Sequence, residues 1–143
     1  MTKTASNTLS ILKYFKNPLS TIGILIGSVW VFHGLYSKIL GGVPRHRLIV
    51  GRILGEGIAD FATIAIGLAE IMLGIWVFSA CFRKTCASLQ TLALVAMNSL
   101  EIYLAKDLLI SALGMVMLNV LFLSLVWYWA VAPCSSGKPS HLP

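Results

Sequence analysis

Four apolar stretches of about twenty residues each dominate the sequence after Ser20, and short polar breaks separate them. The hydrocarbon core of a bilayer is roughly 30 Å thick, so about twenty helical residues cross it once. The predicted spans are residues 21–40, 58–80, 87–105 and 108–131. The sequence therefore predicts an all-α fold, a four-helix transmembrane bundle.

The composition excludes an ordinary soluble domain. Of the 143 residues, 57% are hydrophobic and only 11% are charged, which lies outside the soluble globular range. The formal net charge is +6, and most of the basic residues fall in the breaks, where they anchor helix ends against anionic lipid. No aromatic-basic patch or zinc-ligand spacing indicates nucleic-acid binding. Membrane lipid is the expected partner, and nucleic acid is not.

Three regions divide the chain. Residues 1–18 combine lysines with Leu9, Leu12 and Phe15 at helical spacing, which predicts an amphipathic segment on the membrane surface rather than a cleaved signal peptide. Residues 19–132 form the predicted four-span membrane domain, and residues 133–143 a disordered tail. The longest break, residues 41–57, carries Pro44 and several aliphatic residues between glycines. It predicts a short interfacial or re-entrant helix between the first two spans.

The cysteines and the basic residues bear on compartment and orientation. Cys81, Cys86 and Cys134 cannot all pair, and free thiols near the membrane surface are the expectation, with a disulfide or reactive pair as the alternative. Four spans place both termini on one face. Three lysines precede the first span, and the first helix usually sets orientation. We therefore expect a multi-pass protein of the bacterial inner membrane with cytoplasmic termini.

Polar side chains inside the spans locate a candidate site. A charge at that depth is disfavoured by about 3 kcal/mol, so such groups need partners or a function. The candidate ligand-binding residues are His33, Lys38, Glu70, Asn98, Glu101 and Asn119. No metal-ligand spacing is present in the sequence, and no residue is assigned a catalytic role.

Depth along the helices divides these six residues into two tiers. At about 1.5 Å per residue, Glu70 and Asn119 lie near the midplane, and the other four lie toward the face that carries residues 41–57. The simplest arrangement pairs Glu70 with Asn119 and groups the other four together. Gly67 and Gly74 flank Glu70 at helical spacing, and they would let another backbone approach that carboxylate closely.

Structural roles compete with functional ones at each position. Asn98 and Asn119 can be hydrogen-bond links between helices, and Lys38 can extend its ammonium to the membrane surface. The aromatic residues 127–129 predict an interface belt at the end of the last span. His33 and Glu70 are harder to explain by packing alone.

Two segments carry a family resemblance. The string VWVFHGLYSKIL at residues 29–40, followed by Pro44 and His46, and the string GLAEIMLGIWV at residues 67–77 resemble the DoxX-like family of small four-helix membrane proteins. The resemblance extends over residues 22–132. It implies an integral membrane protein whose better-understood relatives include subunits of quinone-linked sulfur oxidation and factors of redox homeostasis. The positions it marks are His33, Gly34, Lys38 and Glu70.

Three functions are compatible with these features. The leading hypothesis is an accessory subunit, acting with a membrane protein partner in a redox process, whose polar cluster binds a quinone-like head group. Quinone carbonyl oxygens accept hydrogen bonds while the tail stays in lipid. The alternatives are a structural or assembly partner without a ligand, and a small proton-coupled transporter. The chain shows no haem, paired-thiol or nucleotide-binding motif, so whether it is an enzyme and which cofactor it uses stay open.

Overall fold

The computed structural model describes residues 18–133, and this part of the chain is all-helical, as predicted. The predicted amphipathic segment and tail lie almost entirely outside the described residues. Helix α1 (Pro18–Phe32) continues directly into a π-helical segment (His33–Ile39). The other helices are α2 (Pro44–Leu54), α3 (Ala59–Ser79), α4 (Arg83–Leu104) and α5 (Ala112–Val131). Short 3-10 turns, Glu56–Ile58 and Lys106–Leu108, precede α3 and follow α4.

Within residues 18–133, three helical segments are long and apolar enough to cross a membrane, namely Leu19–Ile39, Glu56–Ser79 and Ala112–Val131. They correspond to the first, second and fourth predicted spans. Helix α4 has 22 residues, which is sufficient length, but it is less apolar than the other three. Its side chains include Gln90, Asn98 and Glu101, and these lower its average hydropathy.

Helices α1 and α3 pack antiparallel through facing glycines. A Cβ atom added to Gly67 would lie 2.8 Å from the carbonyl oxygen of Gly34, and one added to Gly74 would lie 2.8 Å from that of Gly27. A Cβ atom on Gly34 would collide with the Gly67 carbonyl oxygen. The prediction that Gly67 and Gly74 permit close backbone approach is therefore confirmed, and it matches the role of small residues in membrane helix contacts.

Helix α2 lies between α1 and α3 in the chain and packs back on the helices around it. Pro44 occupies its first turn, and Ile49 and Val50 are buried. Gly41 and Gly55 bound it with φ angles of +64° and +97°, a region that residues with a Cβ atom rarely adopt. The chain therefore reverses direction sharply on both sides of α2.

Two arginines of α2 form surface ion pairs with neighbouring segments. Arg47 Nη1 lies 3.1 Å from Glu56 Oε2, and Arg47 also bonds Asp60. Arg52 Nη1 lies 3.1 Å from Asp107 Oδ1 in the turn between α4 and α5. Each pair is well exposed, so its contribution is about 0–1 kcal/mol, and buried apolar contacts hold α2 more firmly than these charges do.

The start of α5 and its aromatic end both differ from expectation. Helix α5 begins at Ala112 because Ser111 caps it, accepting a hydrogen bond from Gly114 N at 3.1 Å. Trp129 is 2% exposed, and the Arg83 guanidinium lies 5.5 Å from its ring centroid. The prediction of an interface belt is wrong for Trp129, which belongs to the apolar core, whereas Tyr128 is exposed.

Two of the three cysteines lie in the described part of the chain. Cys81 is exposed in the turn between α3 and α4, Cys86 is buried in α4, and both are free. Cys134 lies outside the described residues. Within the described range, the expectation of free thiols is confirmed, although Cys86 is packed in the core rather than at the surface.

The glycine contact yields the first testable prediction. Gly67→Ala places a methyl group against the Gly34 carbonyl and separates α1 from α3, so we expect it to lower the free energy of unfolding by about 1–3 kcal/mol. The matched control is Gly57→Ala, because a Cβ atom there meets nothing within 4 Å. Unfolding in mixed detergent micelles measures both. Equal stability of the two variants would contradict the packing described here.

A polar cavity as the candidate functional site

A cavity of about 660 Å³ lies among the helices on the side of the molecule that carries α2. Five helices and the turn before α5 contribute to its wall. All six side chains predicted from the sequence line it, namely His33, Lys38, Glu70, Asn98, Glu101 and Asn119. The expected convergence of the polar groups is thus observed. Their role as ligand-binding residues remains a prediction.

Lys38 and Glu70 form a buried ion pair in the wall. Lys38 Nζ donates to Glu70 Oε1 at 2.7 Å and to Oε2 at 2.8 Å, and the two residues are 9% and 4% exposed. The pairing of Glu70 with Asn119 predicted from depth is therefore wrong. Lys38 turns inward rather than extending to the membrane surface. Because Gly34 and Gly67 bring the backbones together, the two side chains meet without spanning a wide gap.

The π-helical segment His33–Ile39 contains Lys38. Its wider turns are visible in the hydrogen bond from Leu40 N to Leu35 O at 2.8 Å, five residues back. Such segments are rare and concentrate at functional positions of helices. Counting 3.6 residues per turn along this span therefore misassigns the directions of the side chains near its end.

Asn98 and Asn119 link α4 to α5. Asn119 Nδ2 donates to Asn98 Oδ1 at 2.8 Å, and both amides line the cavity. This contact matches the structural role considered for them, an interhelical hydrogen bond. Each amide keeps further donor or acceptor capacity toward the cavity.

A second polar link was missed by the sequence reasoning. Trp30 Nε1 donates to Gln90 Oε1 at 2.7 Å, and Gln90 Nε2 donates to Cys86 Sγ at 3.3 Å. Gln90 is fully buried. The sequence contains a signal for this link. Gln90, Asn98 and Glu101 recur on α4 at spacings that place them on one helix face.

Arg45 and His46, in the first turn of α2, also line the cavity and were not among the predicted site residues. Arg45 Nε, Arg45 Nη1 and His46 Nδ1 are shielded from solvent and have no hydrogen-bond partner among the described residues. Leaving a buried polar group unpaired costs about 1–3 kcal/mol. These three atoms could therefore form hydrogen bonds that no described residue provides.

The surroundings of His46 disfavour the protonated, charged form of its imidazole. Burial, the nearby charge of Lys38 and the His33 imidazole together lower the pKa of His46 to about 4, while a hydrogen bond with the Ser37 backbone opposes the shift. The rings of His33 and His46 have centroids 6.4 Å apart. At neutral pH His46 is therefore an uncharged imidazole.

The remainder of the wall is largely apolar. Trp30 and Phe122 meet edge to face with ring centroids 6.2 Å apart. The other apolar lining residues are Val29, Ile49, Leu94, Met97, Leu109, Ile110, Met115 and Leu118. The cavity thus combines a cluster of hydrogen-bonding groups with a hydrophobic surface, as small-molecule sites generally do.

These features define an integral membrane protein of several apolar helices with an internal cavity lined by polar groups. The chain belongs to the DoxX-like family, whose pattern it matches over residues 27–127. That range contains every predicted site residue, and it confirms the resemblance found in the two sequence strings. Neither a curated protein nor a solved structure matches the chain.

The buried ion pair yields a second prediction. Lys38→Met or Glu70→Leu alone leaves one unpaired group in an apolar wall, and each should lower the free energy of unfolding by about 3–5 kcal/mol. The double variant should lose much less than the sum, because it removes both groups together. Arg52→Met, which breaks an exposed pair, serves as the control and should cost about 1 kcal/mol or less. Additive losses would contradict a Lys38–Glu70 interaction.

The lowered pKa of His46 yields a third prediction. The folded value of about 4 lies below the ordinary value of 6.5, so the unfolded chain binds this proton more readily. The resulting stabilisation is complete above pH 6.5 and is lost as the pH falls toward 4. We expect the Tm in detergent to fall across this range, and to fall less in His46→Gln. Identical pH profiles of the two proteins would contradict the buried neutral imidazole.

Proposed function

We propose that this protein binds a quinone-like amphiphile in its internal cavity and serves as an accessory subunit in a membrane redox process. The observation that carries the proposal is the composition of the cavity wall. Hydrogen-bonding side chains from several helices converge on one space whose remaining surface is apolar. The redox setting rests on the relatives implied by the family resemblance.

The chemistry of the wall suits a quinone head group. Quinone carbonyl oxygens accept hydrogen bonds, and the cavity offers donors on His33 and Arg45. The ring and tail need an apolar surface, which Trp30 and Phe122 help to supply. The volume of about 660 Å³ falls within the range of roughly 300–1,000 Å³ that is typical of small-molecule sites.

The proposal includes α4 as a fourth membrane span. At about 1.5 Å per residue its 22 residues extend about 33 Å, enough to cross the hydrocarbon core. Its most polar mid-helix side chains face the interior, where Gln90 bonds Trp30 and Asn98 bonds Asn119. Polar residues that face the bundle are compatible with a span. With four spans the two termini share one face, and the lysines before the first span support a cytoplasmic face of the bacterial inner membrane.

Topology is tested by labelling with a membrane-impermeant maleimide. Cys81 lies in the turn before α4 and Lys106 in the turn after it, so a spanning α4 places them on opposite faces. In a background of Cys86→Ala and Cys134→Ala, we expect Cys81 to react only in inverted vesicles. With Cys81→Ser added, Lys106→Cys should react only in intact cells. Reaction of both positions from the same side would exclude α4 as a span.

Ligand binding is tested directly with a short-chain quinone. Decylubiquinone, measured by equilibrium binding to the protein in lipid nanodiscs, should bind the wild type. His33→Ala should weaken binding about tenfold by removing one polar group of the wall. Glu70→Gln should also weaken binding, because it leaves the Lys38 ammonium without its carboxylate partner in the wall. Leu35→Ala is the control, because Leu35 is exposed on the same helix and does not line the cavity. Unchanged affinity in both cavity variants rejects this site. A wild type that binds no amphiphile at all favours the structural role.

A further inference from the structure

The polar groups of the cavity differ in whether their hydrogen-bonding atoms already have partners. The Lys38 ammonium already donates to both oxygens of Glu70, and Trp30 already donates to Gln90. These groups hold helices together. Arg45 Nε, Arg45 Nη1 and His46 Nδ1 instead have no partner among the described residues, although they are shielded from solvent. Guanidinium nitrogens are obligate donors, so what they lack is an oxygen acceptor.

The cavity also has a closed side and an open side. Its lining residues Trp30, Lys38, Glu70, Ile49 and Leu94 are buried, so they form the floor. Other lining residues are exposed, and we infer that the open side of the cavity lies among them. The exposed group is Val29, His33, Ile110, Ser111 and Leu118.

The mouth lies between α1 and α5 and reaches into the apolar part of the molecule. Val29 is ten residues before the end of the π-helical segment, about 15 Å along the axis, and Leu118 is six residues into α5, about 9 Å. Trp30 and Phe122 meet at about the depth of Val29, and at the other end of these helices the Trp129 ring lies against Gly23. The opening is therefore lateral, toward lipid, and it ends where these aromatic contacts begin.

We infer that Arg45 holds an oxygen acceptor in the head group of a bilayer-dissolved amphiphile, whose apolar tail leaves the cavity between α1 and α5. This inference rests on the proposed function, since it assigns an orientation and an entry route to the same occupant. The Lys38–Glu70 pair forms part of the floor. Neither of these side chains leaves its partner to bind the head group. The ligand class is thus an amphiphile with a carbonyl, carboxylate or phosphate oxygen at its head and an apolar tail.

Matched pairs of variants test the two ends of the ligand separately. Arg45→Gln removes the charge at the head, and Arg47→Gln removes a neighbouring arginine of α2 that bonds Glu56 and Asp60 outside the cavity. Leu118→Trp fills the mouth, and Leu121→Trp adds the same side chain at an exposed position of α5 that does not line the cavity. A thermal melt in detergent shows which variants are folded, and Arg45→Lys replaces Arg45→Gln if the latter is not.

Two readouts are taken from each protein. Equilibrium binding of decylubiquinone in nanodiscs reports a neutral head group, and native mass spectrometry of protein extracted from membranes reports any retained fatty acid or phospholipid. We expect Arg45→Gln to weaken occupancy about tenfold and Leu118→Trp about fivefold or more, with both controls within about twofold of wild type. If Arg45→Gln loses a retained lipid but still binds quinone, the head group is anionic, and this result supports the assigned orientation.

Two results would overturn the inference. If Arg45→Gln and Arg47→Gln bind equally while His33→Ala and Glu70→Gln bind weakly, the proposed function stands and the head group lies elsewhere. If Leu118→Trp and Leu121→Trp behave alike, the tail does not leave between α1 and α5. Absence of any occupant in wild type, by both readouts, contradicts this inference and the proposed function together.

Discussion

The buried ion pair between Lys38 and Glu70 is the interaction on which the rest of the structure depends. Both charges are removed from solvent, which is costly unless the partners meet with good geometry. They meet because α1 and α3 approach through facing glycines at Gly34 and Gly67. Helices α4 and α5 are held by other polar links, and the cavity lies among all five helices.

Polar side chains in this protein therefore have two roles. One set is already paired: Trp30 with Gln90, Asn98 with Asn119, and the ion pair each join two helices. Such links give helices in an apolar environment a defined register. The other set, on α2, has hydrogen-bonding atoms without partners among the described residues, and its residues line the same cavity. A purely structural role explains the first set and leaves the second unexplained, whereas an occupant with an oxygen acceptor accounts for both.

Much of this arrangement could be predicted from sequence, and the failures have physical causes. Apolar length located the helices, and the spacing of Gly67, Glu70 and Gly74 correctly indicated close backbone approach. Depth along a helix does not determine the direction of a side chain around it, however, so Glu70 was paired with Asn119. The π-helical segment adds to this error at Lys38. Arg45 and His46 were missed because they lie in a break between spans, which sequence reasoning assigns to the membrane surface.

The central claim is that these groups surround an occupied, amphiphile-shaped space. A cryo-electron microscopy map of the protein in nanodiscs made from its native membrane lipid measures this most directly. The account predicts density that is not protein, beginning within hydrogen-bond distance of Arg45 and continuing past Phe122 or Leu118 into the lipid. A cavity that contains only water, or helices that have closed on one another with Arg45 bonded to a protein acceptor, would contradict it.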